Sequence, residues 1–285
     1  MKGILLAAGK GTRLYPMTLP VCKPLLPVYD KPLIYYPLAA LLQAGIRDIM
    51  IIIPPGEEAL FTRLFGDGSR LGVHISYAVQ PVPRGIADAF LIAEGFIGDD
   101  SVCLVLGDNI FHEQDLIGKL AKARANTTGA TVFGYYVDDP RAFGVVEFDE
   151  TGRAISIEEK PRFPKSNYIV PGLYFYDNRV VSVAKTLRPS ARGELEITDV
   201  NNHYLQQGEL NVVTLDRDFL WLDAGTADNL LSSSQAVKRV QDESGRYIAC
   251  IEEIAYRSGF ITAEQVHEQG LLQSKTLYGQ YLMCI

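Results

Sequence analysis

The chain has 285 residues, 47% of them apolar, enough for one large hydrophobic core with a small appendage. A formal charge of −7 and an isoelectric point near 5.2 argue against a nucleic-acid surface, so a phosphate site must be a local cluster of Lys and Arg. The four cysteines (Cys22, Cys103, Cys250 and Cys284) make no CxxC pair, which points to reduced cytoplasmic thiols, and no apolar run approaches the ~18–20 residues of a membrane span.

Residues 2–7 form a short apolar run ending in glycines, which predicts a buried strand running into a loop. Asp30-Lys31-Pro32 reads as a helix start, with Asp30 as cap and Pro32 in the first turn. That helix is expected to run through 33–44 and to stop at Gly45. The apolar run Asp48–Ile53, closed by Pro54-Pro55, predicts a second buried strand. A helix over about 57–65, a strand over 75–79, a helix over 86–96 and a strand over 102–106 follow. This alternation predicts an α/β, doubly wound, mostly parallel and Rossmann-like sheet, whose ligands lie beyond the carboxyl ends of its strands. The glycine loop after the first strand and Gly107-Asp108-Asn109 after the fourth both fall there.

Beyond residue 130 the pattern changes. Short strands over 130–137, 144–148 and 154–159, with Glu150-Thr151-Gly152 as a hairpin turn, predict an inserted, partly antiparallel lobe that covers the site. A strand over 172–176, a helix over 198–206 and a strand over 210–215 lead to Trp221-Leu222-Asp223. From 232 onward the chain reads as helical. The expected division is a catalytic domain over 1–240 and a helical C-terminal appendage over 241–285.

The glycine loop Ala8-Gly9-Lys10-Gly11-Thr12-Arg13 fits neither common fingerprint. GxGxxG fails at Leu14, and the GxxxxGK[ST] spacing is absent. Gly9 and Gly11 would still let backbone approach a phosphate, the N–H groups of Ala8, Gly9, Gly11 and Thr12 could cradle oxygens, and Arg13 could clamp two at once. An ordinary strand-to-helix turn that needs glycine explains the spacing as well. Lys23, in the proline-stiffened Lys23-Pro24-Leu25-Leu26-Pro27, could add a second cation, although alone it would read as a solvated surface lysine.

LAAGKGTRL with KPLLPV at this distance resembles the signature of the sugar-1-phosphate nucleotidyltransferases. Further segments carry the resemblance in order along the chain: YDKPLIYYPL (29–38), QPVPRGIADAF (80–90), VLGDNIF (105–111), FGVVEFD (143–149), EEKP (158–161), SNYIVPGLYFYD (166–177), RGELEITDVN (192–201) and WLDAGT (221–226). ACIEEIAYR (249–257) and YGQYL (278–282) extend it to the end.

The resemblance is greatest to members that join dTTP and glucose 1-phosphate into dTDP-glucose and pyrophosphate, a product that feeds dTDP-rhamnose synthesis. UTP in place of dTTP, another hexose 1-phosphate, and a catalytically silent nucleotide-sugar sensor are the competing readings. The resemblance implies a nucleotide-binding part over about 1–130 and a sugar-binding part over about 131–230. It implies a Mg²⁺ held by Asp108 and Asp223, a triphosphate held by Arg13 and Lys23, and a sugar phosphate gripped by Lys160. Glu159 and Gly144 should contact sugar hydroxyls, Tyr174 should line the sugar pocket, Val170 should contact substrate, and Arg192 should add a contact to the sugar phosphate. Gln80 should read the base edge, with Gly85 letting the base approach. A homotetramer and a second site for feedback inhibition by dTDP-rhamnose, built with the C-terminal helices, are also implied. Three departures lie near base or sugar: Arg84 where the family carries Asp, Phe143 where it carries Tyr, and Pro24 where it carries Gln.

Overall fold

The computed structural model describes residues 1–113, 115–216 and 218–285. Its strands in chain order are β1 (Lys2–Leu6), β2 (Pro27–Val28), β3 (Lys31–Pro32), β4 (Asp48–Ile53), β5 (His74–Val79), β6 (Val102–Leu106) and β7 (Asn109–His112). They continue with β8 (Ala130–Tyr136), β9 (Gly144–Phe148), β10 (Ala154–Glu159), β11 (Tyr168–Ile169), β12 (Leu173–Tyr176), β13 (Leu210–Thr214) and β14 (Leu220–Asp223). The main sheet has the order β10-β9-β11-β8-β12-β6-β1-β4-β5, with β13 beside β8.

The half of the sheet made by β6, β1, β4 and β5 is parallel. β1 lies between β4 and β6, and β4 pairs with β5. Successive residues point to opposite faces, and both faces of β1, β4 and β6 are covered, so those three strands are apolar almost throughout, whereas the edge strand β5 is only partly buried. Leu5, Ile49, Ile51, Cys103 and Val105 face the helix Tyr35–Gln43 and, beyond it, Cys250, Ile251, Ala255 and Val266 of the C-terminal region. Ile4, Ile52, Val102 and Leu104 face Phe90, Val180 and Tyr204. The C-terminal helices therefore share a core with the sheet. β12 runs antiparallel to both β6 and β8 and joins this half to the antiparallel group β9, β10 and β11.

The expected turn over 150–152 is present: Asp149 N–H donates to Arg153 O at 2.9 Å, and Gly152 takes φ +82. Gly45 ends the first helix at φ +74, as predicted. Two expectations fail. Asp30 does not cap a helix, because residues 27–32 form the small β2–β3 hairpin and the helix begins at Tyr35. The Asp30 carboxylate instead pairs with Lys31 and accepts from Gln241 at 2.9 Å. The helix over 86–96 is two short ones, Asp88–Ile92 and Glu94–Ile97, broken where Ala93 sits at φ −91, ψ 7 just before the poor helix former Gly95.

The helix Ala227–Ser244, opened by Thr226 Oγ1 accepting from Asn229 N–H at 3.2 Å, runs through residue 240. Helices Ile251–Arg257, Ala263–Leu272 and Leu277–Leu282 follow it. No helix among the described residues is long and apolar enough to cross a membrane.

Candidate active site

The glycine loop leaves the carboxyl end of β1 and folds back on the Lys23 segment. Gly11 takes φ +60, and a Cβ there would lie 3.0 Å from both Lys23 Cβ and Thr18 Cγ2, so only glycine lets the loop close this tightly. Thr18 Oγ1 donates to Gly11 O at 2.7 Å and pins the contact. A Cβ on Gly9 would meet nothing within 4 Å, which leaves that side of the loop open. One 3₁₀ turn, Thr12–Leu14, buries Leu14 and leaves Arg13 exposed at the cleft.

Lys23 is no solvated surface lysine. It is 7% exposed, and its Nζ stands 2.5 Å from Asp108 Oδ2 and 3.9 Å from Asp223 Oδ1. The two aspartates are neighbours because β7 and β14 form an antiparallel ribbon with Asp223 opposite Asn109, closed by Ala224 N–H donating to Asp108 O at 3.2 Å.

Burial raises the Asp108 carboxyl, but the Lys23 ammonium and the Asn109 amide outweigh it and hold the group below its usual value. Asp223 is raised to about 6 by burial and by the Asp108 charge, with Lys23 and Arg13 only partly offsetting these. Two carboxylates crowded in this way call for positive charge. Among the described residues no three His, Cys, Asp or Glu side chains gather into a metal cage. A pair of carboxylates suits Mg²⁺, which keeps waters and takes further oxygens from substrate phosphates. The pair fits that ion.

On the other side of the cleft, Glu159 Oε2 accepts from Thr198 Oγ1 at 2.6 Å and Oε1 accepts from Arg192 at 3.1 Å. Gly144 lies against this pair, since a Cβ there would stand 3.1 Å from Thr198 Oγ1 and 3.5 Å from Glu159 Oε2. Lys160 follows at φ +46, its Nζ 3.5 Å from Glu159 Oε1. Arg192 is held by three carboxylates, at 2.7 Å from Glu196, 3.1 Å from Glu159 and 3.3 Å from Glu194. Tyr174 is buried with its ring stacked on Tyr176 at 6.2 Å between centroids, and burial drives its phenol well above the usual range.

A cleft of about 250 Å³ brings together Arg13, Asp108, Gly144, Glu159, Lys160, Val170, Tyr174 and Asp223. Ala8, Gly9, Gly11, Thr12, Lys23, Gln80, Gly85 and Arg192 are not among its lining residues. Gly85 has a packing reason for being glycine: at φ +104 a Cβ would meet Leu195 O at 2.4 Å. Asn109, Thr198, Asn201 and Trp221 line the cleft and have no role in the sequence reading. Asn109 was legible only as the tail of Gly107-Asp108-Asn109.

A family profile named nucleotidyl transferase matches residues 2–240. The glucose-1-phosphate thymidylyltransferase of Neisseria meningitidis is 58% identical over 283 residues, covering 99% of this chain and 98% of that protein. That of Mycobacterium tuberculosis is 52% identical with the same coverage of 99% and 98%. A solved Bacillus anthracis chain, provisionally named a glucose-1-phosphate thymidylyltransferase and bound to sucrose, is 44% identical with a TM-score of 0.77, covering 83% of this chain and 94% of that one. A UDP-glucose pyrophosphorylase complexed with UDP-glucose shares the fold at 23% identity and a TM-score of 0.73, over 84% of this chain and 98% of that one. Strand-end loop, paired aspartates and full-length relatives agree, and the chain belongs to the nucleotidyl transferase family.

Proposed function

We propose that this protein transfers the thymidylyl group of dTTP to glucose 1-phosphate, releasing pyrophosphate and giving dTDP-glucose. The observation that carries this reading is the convergence of Arg13, Asp108, Glu159, Lys160 and Asp223 on one cleft beyond the carboxyl ends of β1 and β6, with Lys23 ion-paired into it. A phosphate oxygen of the sugar attacks the α-phosphorus, a P–O bond forms there, and the α–β bond breaks with its electron pair leaving on pyrophosphate. The sugar phosphate is already anionic at neutral pH, so no side chain need remove a proton.

The residues' work is placement and charge. The loop N–H groups and Arg13 hold the triphosphate, and Lys23 exchanges its aspartate contacts for phosphate oxygens. Lys160 holds the sugar phosphate, while Glu159, fixed by Thr198 and Arg192, accepts from sugar hydroxyls. Asp108 and Asp223 would hold a Mg²⁺, which supplies charge neutralisation at the phosphates. Gln80 reads the base. The silent-sensor reading is disfavoured because no cation or carboxylate of this set has been lost.

Pyrophosphate release over a matrix of dTTP, UTP and other nucleoside triphosphates with several hexose 1-phosphates tests the assignment. Turnover is expected to be best with dTTP and glucose 1-phosphate; turnover with UTP alone would overturn the thymidylyl assignment, and none with any pair would overturn the activity. The same proposal extends to a cytoplasmic homotetramer supplying dTDP-rhamnose synthesis, with nucleotide-binding, sugar-binding and C-terminal parts divided as the sequence suggests. Feedback by dTDP-rhamnose is supported by a cavity of about 1040 Å³ that the end of the helix Ala227–Ser244 and residues 246–258 form with Gln43, His112 and Ile117. Calorimetry with dTDP-rhamnose is expected to find binding there, and unchanged initial rates at saturation would remove the idea.

A further inference from the structure

Arg84, one of the three departures from the family pattern, has a partner in the fold. Its side chain is 59% exposed, yet its guanidinium reaches 2.7 Å to Oδ1 of Asp88, whose side chain is 1% exposed. The other oxygen of Asp88 accepts from Nε2 of Gln80 at 2.9 Å. Gln80 follows β5 directly, is 5% exposed, and has its backbone N–H bonded to Ile53 O at 2.9 Å. A carboxylate only accepts hydrogen bonds, so only the NH₂ end of the amide can face Asp88. The opposite rotamer would set the amide carbonyl against a buried carboxylate, acceptor against acceptor. Arg84 supplies the counter-charge that a carboxylate in so dry a place requires. Among the described side-chain contacts none donates to Gln80 Oε1, and that oxygen is not one of the sealed, unpaired atoms.

We propose that Asp88, anchored by Arg84, is a specificity-positioning residue that locks the Gln80 amide with Oε1 outward. This rests on Gln80 being the base contact. A fixed acceptor pairs with the ring N–H of thymine or uracil and meets the bare ring nitrogen of cytosine lone pair to lone pair. Selection therefore comes as much from repulsion as from attraction. The arrangement does not sense the thymine methyl group, so it separates dTTP and UTP from dCTP and not from each other.

The test compares kcat/KM for dTTP and dCTP, each with glucose 1-phosphate, in the wild type, Asp88→Asn, Asp88→Asn with Arg84→Ala, Asp88→Ala and Gln80→Ala. In Asp88→Asn, Arg84 claims the Asn oxygen, the Asn NH₂ faces Gln80, and the amide turns over. The dTTP:dCTP ratio is expected to fall by about tenfold or more, through KM rather than kcat. Removing Arg84 as well lets the Asn oxygen swing back to Gln80 and restores part of the ratio, which a merely structural role would not do. Asp88→Ala serves if Asp88→Asn does not fold; its amide turns freely and the ratio falls as well. An unchanged ratio in the Asp88 variants beside a reduced one in Gln80→Ala overturns the orientation and leaves the base contact standing. An unchanged ratio in Gln80→Ala overturns both. A fall that Arg84→Ala does not relieve marks general damage and also overturns the proposal.

Discussion

Trp221 donates its indole N–H to the side-chain carbonyl of Asn109 at 2.7 Å, across the β7–β14 ribbon. The same carbonyl accepts from Gly172 N–H at 3.2 Å, and the Asn109 amide donates to Asp108 Oδ1 at 2.9 Å. Asn109, 4% exposed, thus links the indole, the β12 side of the cleft and the proposed metal carboxylate. Replacing it by Ala leaves a buried indole N–H unpaired and leaves Asp108 oriented through Oδ2 by Lys23 alone. Asn109→Ala is expected to lose about 1–3 kcal/mol of stability and about 10- to 100-fold in activity or Mg²⁺ affinity. Thermal melting and Mg²⁺-dependent initial rates check it, and wild-type values in both would show that the link is idle.

Asp223→Ala removes one of the two proposed metal oxygens while relieving the crowding with Asp108. Loss of several kcal/mol of charge stabilisation corresponds to about three orders of magnitude in rate. Turnover should then respond weakly to added Mg²⁺, whereas the wild type should lose activity to EDTA and regain it with Mg²⁺. Near wild-type kcat in the variant would refute the metal role.

Arg13→Lys keeps the charge and loses the fork. If Arg13 clamps two phosphate oxygens, the substitution should lower kcat/KM for dTTP by about 100-fold and leave KM for glucose 1-phosphate nearly unchanged. Steady-state kinetics with each substrate varied in turn separates the two; a rise in KM for glucose 1-phosphate as large as that for dTTP would place Arg13 elsewhere in the site.

Asp177 predicts an acid limb of stability. It is 8% exposed and accepts from Gly129 N–H at 2.7 Å, Arg179 Nε at 2.9 Å and Tyr204 OH at 2.8 Å. Burial opposes its charge, but the Arg179 and Gly129 bonds prevail and hold the carboxyl below its usual value of 3.8. A depressed folded-state pKa stabilises above the unfolded value and is lost as pH falls through the folded one. Asp177→Asn should cost about 1.5–3 kcal/mol at pH 7, and its Tm should converge on that of the wild type below about pH 4. A constant gap in Tm from pH 7 to pH 3 would contradict this.

The sequence by itself determined the elements whose information is local. β4, β6, β9 and β10 begin and end at the predicted residues, because each is an apolar or alternating run bounded by Gly, Pro or Asp. The family motifs likewise marked Arg13, Asp108, Glu159, Lys160, Val170, Tyr174, Gly144 and Asp223, which the fold brings to one cleft. Tertiary structure decided what depends on partners far along the chain. Lys23 meets Asp108 across 85 residues, and Trp221 meets Asn109 across 112. Asp30 had a choice between capping a helix and pairing with Lys31 and Gln241, and a partner 211 residues away won. Arg84 read as a mere departure until Asp88 and Gln80 stood beside it. Local patterns record propensity and periodicity, while the pairing of buried charges and amides is settled only when the sheet brings distant strand ends together.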